Sequence, residues 1–378
     1  MSTPGYHRLP HTHADLILSL HHNLTGDRSI TASSDHRLKA WTLNTQTAHW
    51  TLTDTWTAHA AEVTSAKWNG PYVGTHLASI GEDGYLRIWQ EDVHEAVNSE
   101  RRFRKIFEQM TATGVPYMSL DFKNIGSETY LACITRDGHL TVQEPEDHDD
   151  LSTWRVLWSD YLCKTPPRTQ ETGFRLSWHQ ERIPAWPAVL AGLDRKALSL
   201  VVAIGEIARV FRTDRDRKFY IAATLEGARD LIRDVSWGNG SIRGFDTIAT
   251  ASRDGFVRVY ELHTPGAAAL PKTTAPQSPN GESVHSPAPS QSRSGIGAGL
   301  AAGTQGRRED SAGTPGAVRQ EARLVAELDM HGVPWRVGWS DTGDLLYSTG
   351  DDGSVRVWKK AVDGKWVEAA EVDGTRDL

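Results

Sequence analysis

The chain has 378 residues, 38% hydrophobic and 24% charged, with a formal net charge of −7; the composition is globular, and its acidic balance argues against a nucleic-acid binder, which ordinarily carries a basic face. Two cysteines, Cys133 and Cys163, are too few for a disulfide framework and lack metal-ligand spacing, so a reducing compartment is expected and no metal or other cofactor. No stretch approaches the roughly 20 apolar residues of a membrane-spanning helix, and the opening residues hold no signal-peptide run, so no direct membrane insertion is expected.

Tryptophan is over-represented, with 14 copies against 8 Phe, and an excess of one bulky residue is a sign of a repeating unit. Five segments align without gaps: SSDHRLKAW (33–41), GEDGYLRIW (81–89), TRDGHLTVQ (135–143), SRDGFVRVY (252–260) and GDDGSVRVW (350–358). Upstream of each lies an anchor, in chain order SLHH (19–22), SAKW (65–68), SLDF (119–122), DVSW (234–237) and RVGW (336–339). A further anchor, RLSW (175–178), marks a degenerate repeat with Gly205 where Asp is expected. The anchors alternate apolar and polar residues, as a half-buried strand does. A second apolar strand follows, an Asp-Gly pair makes a tight turn, and LRIW-like segments form a third strand. More polar fourth strands are read at 50–56, 103–109, 154–162, 219–225, 322–328 and 365–372. Four antiparallel strands per unit of about 40–45 residues, with Asp-Gly turns and a terminal Trp, are the mark of a WD-repeat β-propeller.

The expected fold is therefore all-β: a six-bladed WD-repeat propeller preceded by a tail at 1–12. The expected blades are 13–57, 58–110, 111–163, 164–227, 228–329 and 330–375. Residues 183–196 extend the fourth repeat as a Pro-bearing loop, and residues 188–198 are the one plausible helical turn. Residues 263–320 are dominated by Pro, Gly, Ala, Ser and Thr and contain no aromatic residue. They are read as a disordered insertion between the third and fourth strands of blade 5, since they bury too little apolar surface to offset the entropy of ordering.

His59, Ser79 and Asp83 resemble a hydrolytic triad, but a triad is built once. Here the trio recurs as His13, Thr31 and Asp35 and as His331, Ser348 and Asp352, each time with a Trp six residues after the Asp: Trp41, Trp89 and Trp358. The twelve residues are read as structural hydrogen-bond networks and not as catalytic sites, and no enzyme activity is expected. Repeats three, four and five lack the His and are expected to rely on apolar packing. The histidines at 11, 13, 21 and 22 have no third ligand nearby, and the basic runs RRFRK (101–105) and DRDRK (214–218) are read as a strand and a solvated turn.

Propellers of this kind usually close by giving their N-terminal segment to the last blade as its outer strand. Here the first recognisable strand, 15–22, is an innermost strand, and its upstream residues carry two prolines and make a poor strand. Each blade is then contiguous and the ring is expected to stay open, with two blade faces needing cover. A partner inserting strands would supply it, and Asp15, Leu16, Ile17 and Leu18 of blade 1 with Trp335, Val337 and Trp339 of blade 6 are the candidate seam residues.

The opening HADLILSLHHNLTGDRSITASSDHRLKAW, the segment WTAHAAEVTSAKW and the ending HGVPWRVGWSDTGDLLYSTGDDGSVRVWKK resemble the Seh nucleoporins, kin of the Sec-thirteen coat protein. The LSTWRVLW run (151–158) is a further likeness, whereas the 263–320 insertion is longer than the family pattern. The resemblance implies an open six-bladed scaffold in the Y-shaped complex of the nuclear pore, completed in trans by a blade from an α-helical scaffold nucleoporin and contacting other Y-complex subunits. It also implies a second place in a nutrient-signalling coat complex at the vacuolar or lysosomal membrane. The competing expectation is a substrate receptor or vesicle-coat adaptor holding a peptide on the propeller face, with Trp335, Tyr117 and Arg233 forming the pocket.

Overall fold

A computed structural model describes residues 9, 13–70, 75–265, 316–330 and 332–373. Each repeat folds into a four-stranded antiparallel sheet whose strands pair in sequence order. Blade 1 comprises β1 (Ile17–His22), β2 (Arg28–Ser33), β3 (Arg37–Asn44) and β4 (His49–Thr57). Blade 2 comprises β5 (Val63–Trp68), β6 (His76–Gly81), β7 (Tyr85–Glu91) and β8 (Phe103–Met110). In blade 3 the strands are β9 (Tyr117–Ile125), β10 (Glu128–Thr135), β11 (His139–Asp147) and β12 (Asp150–Tyr161). Blade 4 has β13 (Arg175–Trp178), β14 (Ser199–Ile204), β15 (Ile207–Thr213) and β16 (Phe219–Leu225), with a five-residue helix α1 (Trp186–Leu190) between its first two strands. Blade 5 has β17 (Ile232–Gly238), β18 (Asp246–Ser252), β19 (Phe256–His263) and β20 (Glu321–Asp329), and blade 6 has β21 (Pro334–Trp339), β22 (Leu345–Gly350), β23 (Ser354–Lys360) and β24 (Trp366–Asp373).

The turn joining the second and third strands shows why Asp-Gly recurs. The Asp carboxylate accepts the N–H two residues on, at 3.0 Å for Asp35 and Arg37, 3.2 Å for Asp83 and Tyr85, and 3.0 Å for Asp352 and Ser354. The residue between them takes a positive φ, +78° at Gly84, which glycine adopts without steric cost. In blade 1 this place is held by His36, at φ +68°.

Pairing registers put the blades on a common frame. The anchor residue faces an apolar residue of the second strand, which faces the large terminal residue of the third: Trp68, Leu77 and Trp89 in blade 2, Trp178, Leu200 and Phe211 in blade 4, Trp339, Leu346 and Trp358 in blade 6. Successive side chains of a strand point to opposite faces, so each blade has one face toward its predecessor and one toward its successor. Five hydrophobic cores result, one at each junction from blade 1–2 through blade 5–6.

The insertion in blade 5 is narrower than the sequence suggests. His263 completes β19, and Val318 is buried beside blade 4, where its N–H donates to the Tyr220 hydroxyl (2.8 Å). The Gln320 N–H donates to the Ala222 carbonyl (2.9 Å). An apolar Val and two backbone hydrogen bonds thus hold a stem within the low-complexity run, and residues 266–315 lie outside the described residues.

Candidate protein-binding site

The residues read as structural networks form two complete chains of hydrogen bonds, inside blades 1 and 2. In blade 2 the Trp89 indole N–H donates to Ser79 Oγ (2.9 Å), Ser79 meets His59 Nε2 (2.8 Å), and His59 Nδ1 donates to the Asp83 carboxylate (2.8 Å). In blade 1, Trp41 reaches Thr31 (3.1 Å), Thr31 reaches His13 (2.8 Å), and His13 reaches Asp35 (2.9 Å). Burial lowers the pKa of His59, so the ring is neutral and Nε2 accepts from the serine. Burial alone would raise the Asp83 carboxyl, but hydrogen bonds from His59 and the Ala60 N–H outweigh it and hold it below its ordinary value. Ser79 is fully buried and spends its hydroxyl on two neighbours, which is the geometry of a tie between strands and not of a nucleophile.

Blade 6 keeps part of this arrangement. Trp358 donates to Ser348 (2.7 Å), the Ser348 hydroxyl lies 3.0 Å from the Met330 sulfur, and Asp352 pairs with Arg356 (2.6 Å); His331 lies outside the described residues. The blades lacking the His do more than pack apolar groups. Thr113 donates to Asp137 (3.0 Å) in blade 3, and in blade 5 the buried Arg258 pairs with Asp254 (2.8 Å) and Glu327 (2.9 Å). In blade 3 a Thr at the His position holds the turn Asp, and in blade 5 an Arg four residues after the Asp holds it, as Arg87 holds Asp83 beside His59 in blade 2 (2.9 Å).

The partner-seam candidates divide. Asp15, Leu16 and Ile17 are exposed and Leu18 is half-buried at the mouth of the central channel. Trp335 is exposed beneath the Arg233 guanidinium, 3.7 Å from the ring centre. Val337 and Trp339 turn the other way: the Val337 N–H donates to Asp234 (3.0 Å), the Trp339 indole donates to the Ser236 carbonyl (3.1 Å), and both side chains pack into the blade 5–6 core. They fasten blade 6 to blade 5 and are removed from the seam. Alternation along β21 gives the opposite face to Arg336 and Gly338. The receptor pocket also divides, because Trp335 and Arg233 meet while Tyr117 is buried in the blade 2–3 core.

An uncovered junction emerges from comparing equivalent positions. Inner strands pack in succession, β1 on β5, β5 on β9, β9 on β13, β13 on β17 and β17 on β21, but β21 and β1 are not among the packed pairs. Leu20 of β1 is 51% exposed, whereas its counterparts Ala66, Leu120, Leu176, Val235 and Val337 are all at most 8% exposed. On the other side, Tyr347, Thr349 and Val357 of blade 6 are half-buried and Val355 exposed, whereas the matching Ala249, Ala251, Val259 and Val257 of blade 5 are fully buried. Farther from the axis, Ser29, Thr31, Lys39 and Trp41 of blade 1 are buried, so the opening on that side is confined to the inner strand. Among the described residues no hydrophobic core joins blade 6 to blade 1, no group of His, Cys, Asp and Glu suits a metal, and no helix is long and apolar enough to cross a membrane.

Comparison with known proteins agrees with this architecture. The WD domain, G-beta repeat family matches residues 50–90 and 322–359. Along nearly its whole length the chain is similar to nucleoporin SEH1 of Saccharomyces cerevisiae, 29% identical over 92% of this chain and 93% of the relative. It is 27% identical to nucleoporin SEH1 of Chaetomium thermophilum over 96% of this chain and 94% of that one. Nucleoporin SEH1 of Danio rerio is 27% identical over 94% of this chain and 83% of the relative. Six four-stranded blades and the matched repeats make the chain a WD-repeat β-propeller, similar along nearly its whole length to nucleoporins SEH1 from fungi to vertebrates.

Proposed function

We propose that the chain is a scaffold subunit of the Y-shaped coat of the nuclear pore, with the gap between blades 6 and 1 filled by a blade from an α-helical nucleoporin. The observation that carries this reading is the exposed inner edge of the ring. Leu20 lacks the cover that every counterpart has, and facing it across the gap stands a blade face bearing Tyr347, Val355 and Val357. An inserted sheet covers both sides at once and continues the alternation of cores around the ring. The relatives' names support the nuclear pore at the nuclear envelope as the place of action, with other Y-complex subunits as neighbours and transport of mRNA and protein as the process served. A second role in a vacuolar or lysosomal coat complex regulating TORC signalling, held at the membrane peripherally through partners, belongs to the same reading. The chain acts by assembly and not by catalysis.

Affinity purification of the tagged chain with mass spectrometry tests it. The proposal expects α-helical nucleoporins in near-equal amounts with the bait, lost when Tyr347→Asp and Val357→Asp are introduced together. Recovery of ubiquitin-ligase subunits in their place would support the receptor alternative and overturn this one.

A further inference from the structure

Four of the five closed junctions share a donor–acceptor rule that the gap leaves incomplete. On the face of the inner strand that looks to the next blade, side chains accept backbone N–H groups of that blade's inner strand, and at the blade 2–3 junction the Lys67–Asp121 ion pair stands in their place. His21 accepts from Trp68 (3.2 Å), Ser119 from Leu176 (3.3 Å), Asp121 from Trp178 (2.9 Å), Ser177 from Trp237 (3.1 Å) and Asp234 from Val337 (3.0 Å). The same positions in blade 6 are Arg336 and Gly338. Glycine offers no side chain, and a guanidinium only donates. A Cβ added at Gly338 would meet nothing within 4 Å, so the space beside it is open.

Where blade 2 places a cation on this face, the next blade answers with a carboxylate: Lys67 lies 3.5 Å from Asp121 of blade 3. Arg175 of blade 4, the counterpart of Arg336, instead donates to the Met118 carbonyl of blade 3. Arg336 is exposed and has no ion pair among the described residues. The charged residues lining the channel are Lys67, Arg175, Arg336 and Asp234, three cations to one carboxylate, in a chain whose net charge is −7.

We propose that the strand filling the gap presents a carboxylate to Arg336 and, on its other face, acceptor side chains two residues apart to the Leu20 and His22 N–H groups of β1. This rests on the reading that a protein blade occupies the gap, and it specifies the chemistry that selects that blade. At its junction with blade 6 the incoming strand is the acceptor, as Asp121 is to Lys67. At its junction with blade 1 it repeats the role of Ser119 and Asp121 in blade 3. An apolar strand without these groups fills the volume but leaves the cation and two N–H groups unanswered. Arg336 is thereby a specificity residue.

The test is co-expression of the full chain with the α-helical scaffold nucleoporin of the same organism, comparing wild type with Arg336→Lys and Arg336→Glu. Reversing the charge is expected to lower affinity at least tenfold with an unchanged melting temperature of the isolated chain, while Arg336→Lys retains most binding. Cross-linking then locates the partner carboxylate beside position 336, and its replacement by Arg restores binding to Arg336→Glu. Equal affinity of wild type and Arg336→Glu overturns the inference while leaving the assembly reading intact. Failure of the wild type to bind any α-helical nucleoporin overturns that reading, and this inference with it.

Discussion

The junctions on the two sides of blade 6 are made of the same strand types and end in opposite states. Toward blade 5, Val337, Leu346 and Trp358 are at most 8% exposed and meet a face of Ala249, Ala251, Val257 and Val259 with no exposure at all. Toward blade 1, Tyr347, Val355 and Val357 have no such face to meet. Both faces of this blade are apolar, so hydrophobic patterning alone does not decide which junction closes. What differs is the latch, an acceptor such as Asp234 at the closed junction against Arg336 and Gly338 at the open one.

Paired substitutions at equivalent positions break the two junctions unequally. Val257→Asp puts a charge where exposure is zero, which costs several kcal/mol and is expected to unfold the chain in a thermal melt. Val355→Asp at the matching position of blade 6 is expected to change the isolated chain by only about 0.5 kcal/mol and, on the proposed function, to block assembly in a pull-down. Leu176→Ala should cost about 2–5 kcal/mol in chemical denaturation, against under about 1 kcal/mol for Leu20→Ala, since half of Leu20 is already in water.

Within a blade, the hydrogen-bonded ties give intermediate effects. Ser79→Ala leaves the Trp89 indole and His59 Nε2 without their partner and is expected to lower stability by about 1–3 kcal/mol. Burial holds His59, His21 and His179 below the ordinary value of 6.5. The unfolded chain therefore takes up protons on these rings before the folded one does. Their contribution is full above about pH 6.5 and shrinks as pH falls below it, and melts between pH 7.5 and 5.5 should show a decline that His59→Gln reduces. The smallest change is favourable: His36→Gly relieves a positive φ of +68° and should raise stability by about 0.5–1 kcal/mol.

Much of this architecture is legible in the residues. Asp-Gly pairs, terminal Trp residues and alternating anchors give six blades, because turn chemistry and period-two burial are local. Alternation also identifies His59, Ser79, Asp83 and Trp89 as one repeating set. The seam is harder to read. Which of two neighbours faces the gap depends on strand parity, and both β1 and β21 begin with a register shift, after Ile17 and after Pro334. The sequence pattern therefore points to Val337 and Trp339 where the structure has Arg336 and Gly338 facing the gap, and to Leu16, Ile17 and Leu18 where it has Leu20. A signal was present nonetheless. One and three residues before the anchor Trp, every other blade has at least one side chain able to accept a hydrogen bond, whereas blade 6 has Gly and Arg. The groups that hold the turn Asp in blades 3 and 5 are also within reach of spacing: Thr113 stands 24 residues before Asp137, as His59 does before Asp83, and Arg258 stands four after Asp254, as Arg87 does after Asp83.

Amide hydrogen exchange on the isolated chain and on its complex with the α-helical nucleoporin tests the open ring most directly. The account predicts that the Leu20 and His22 amides of the free chain exchange at least tenfold faster than the matching Leu176 and Trp178 amides, which Ser119 and Asp121 hold, and that the partner slows them to the same range. Equal protection of the four amides in the isolated chain would show a ring closed on itself and contradict the account.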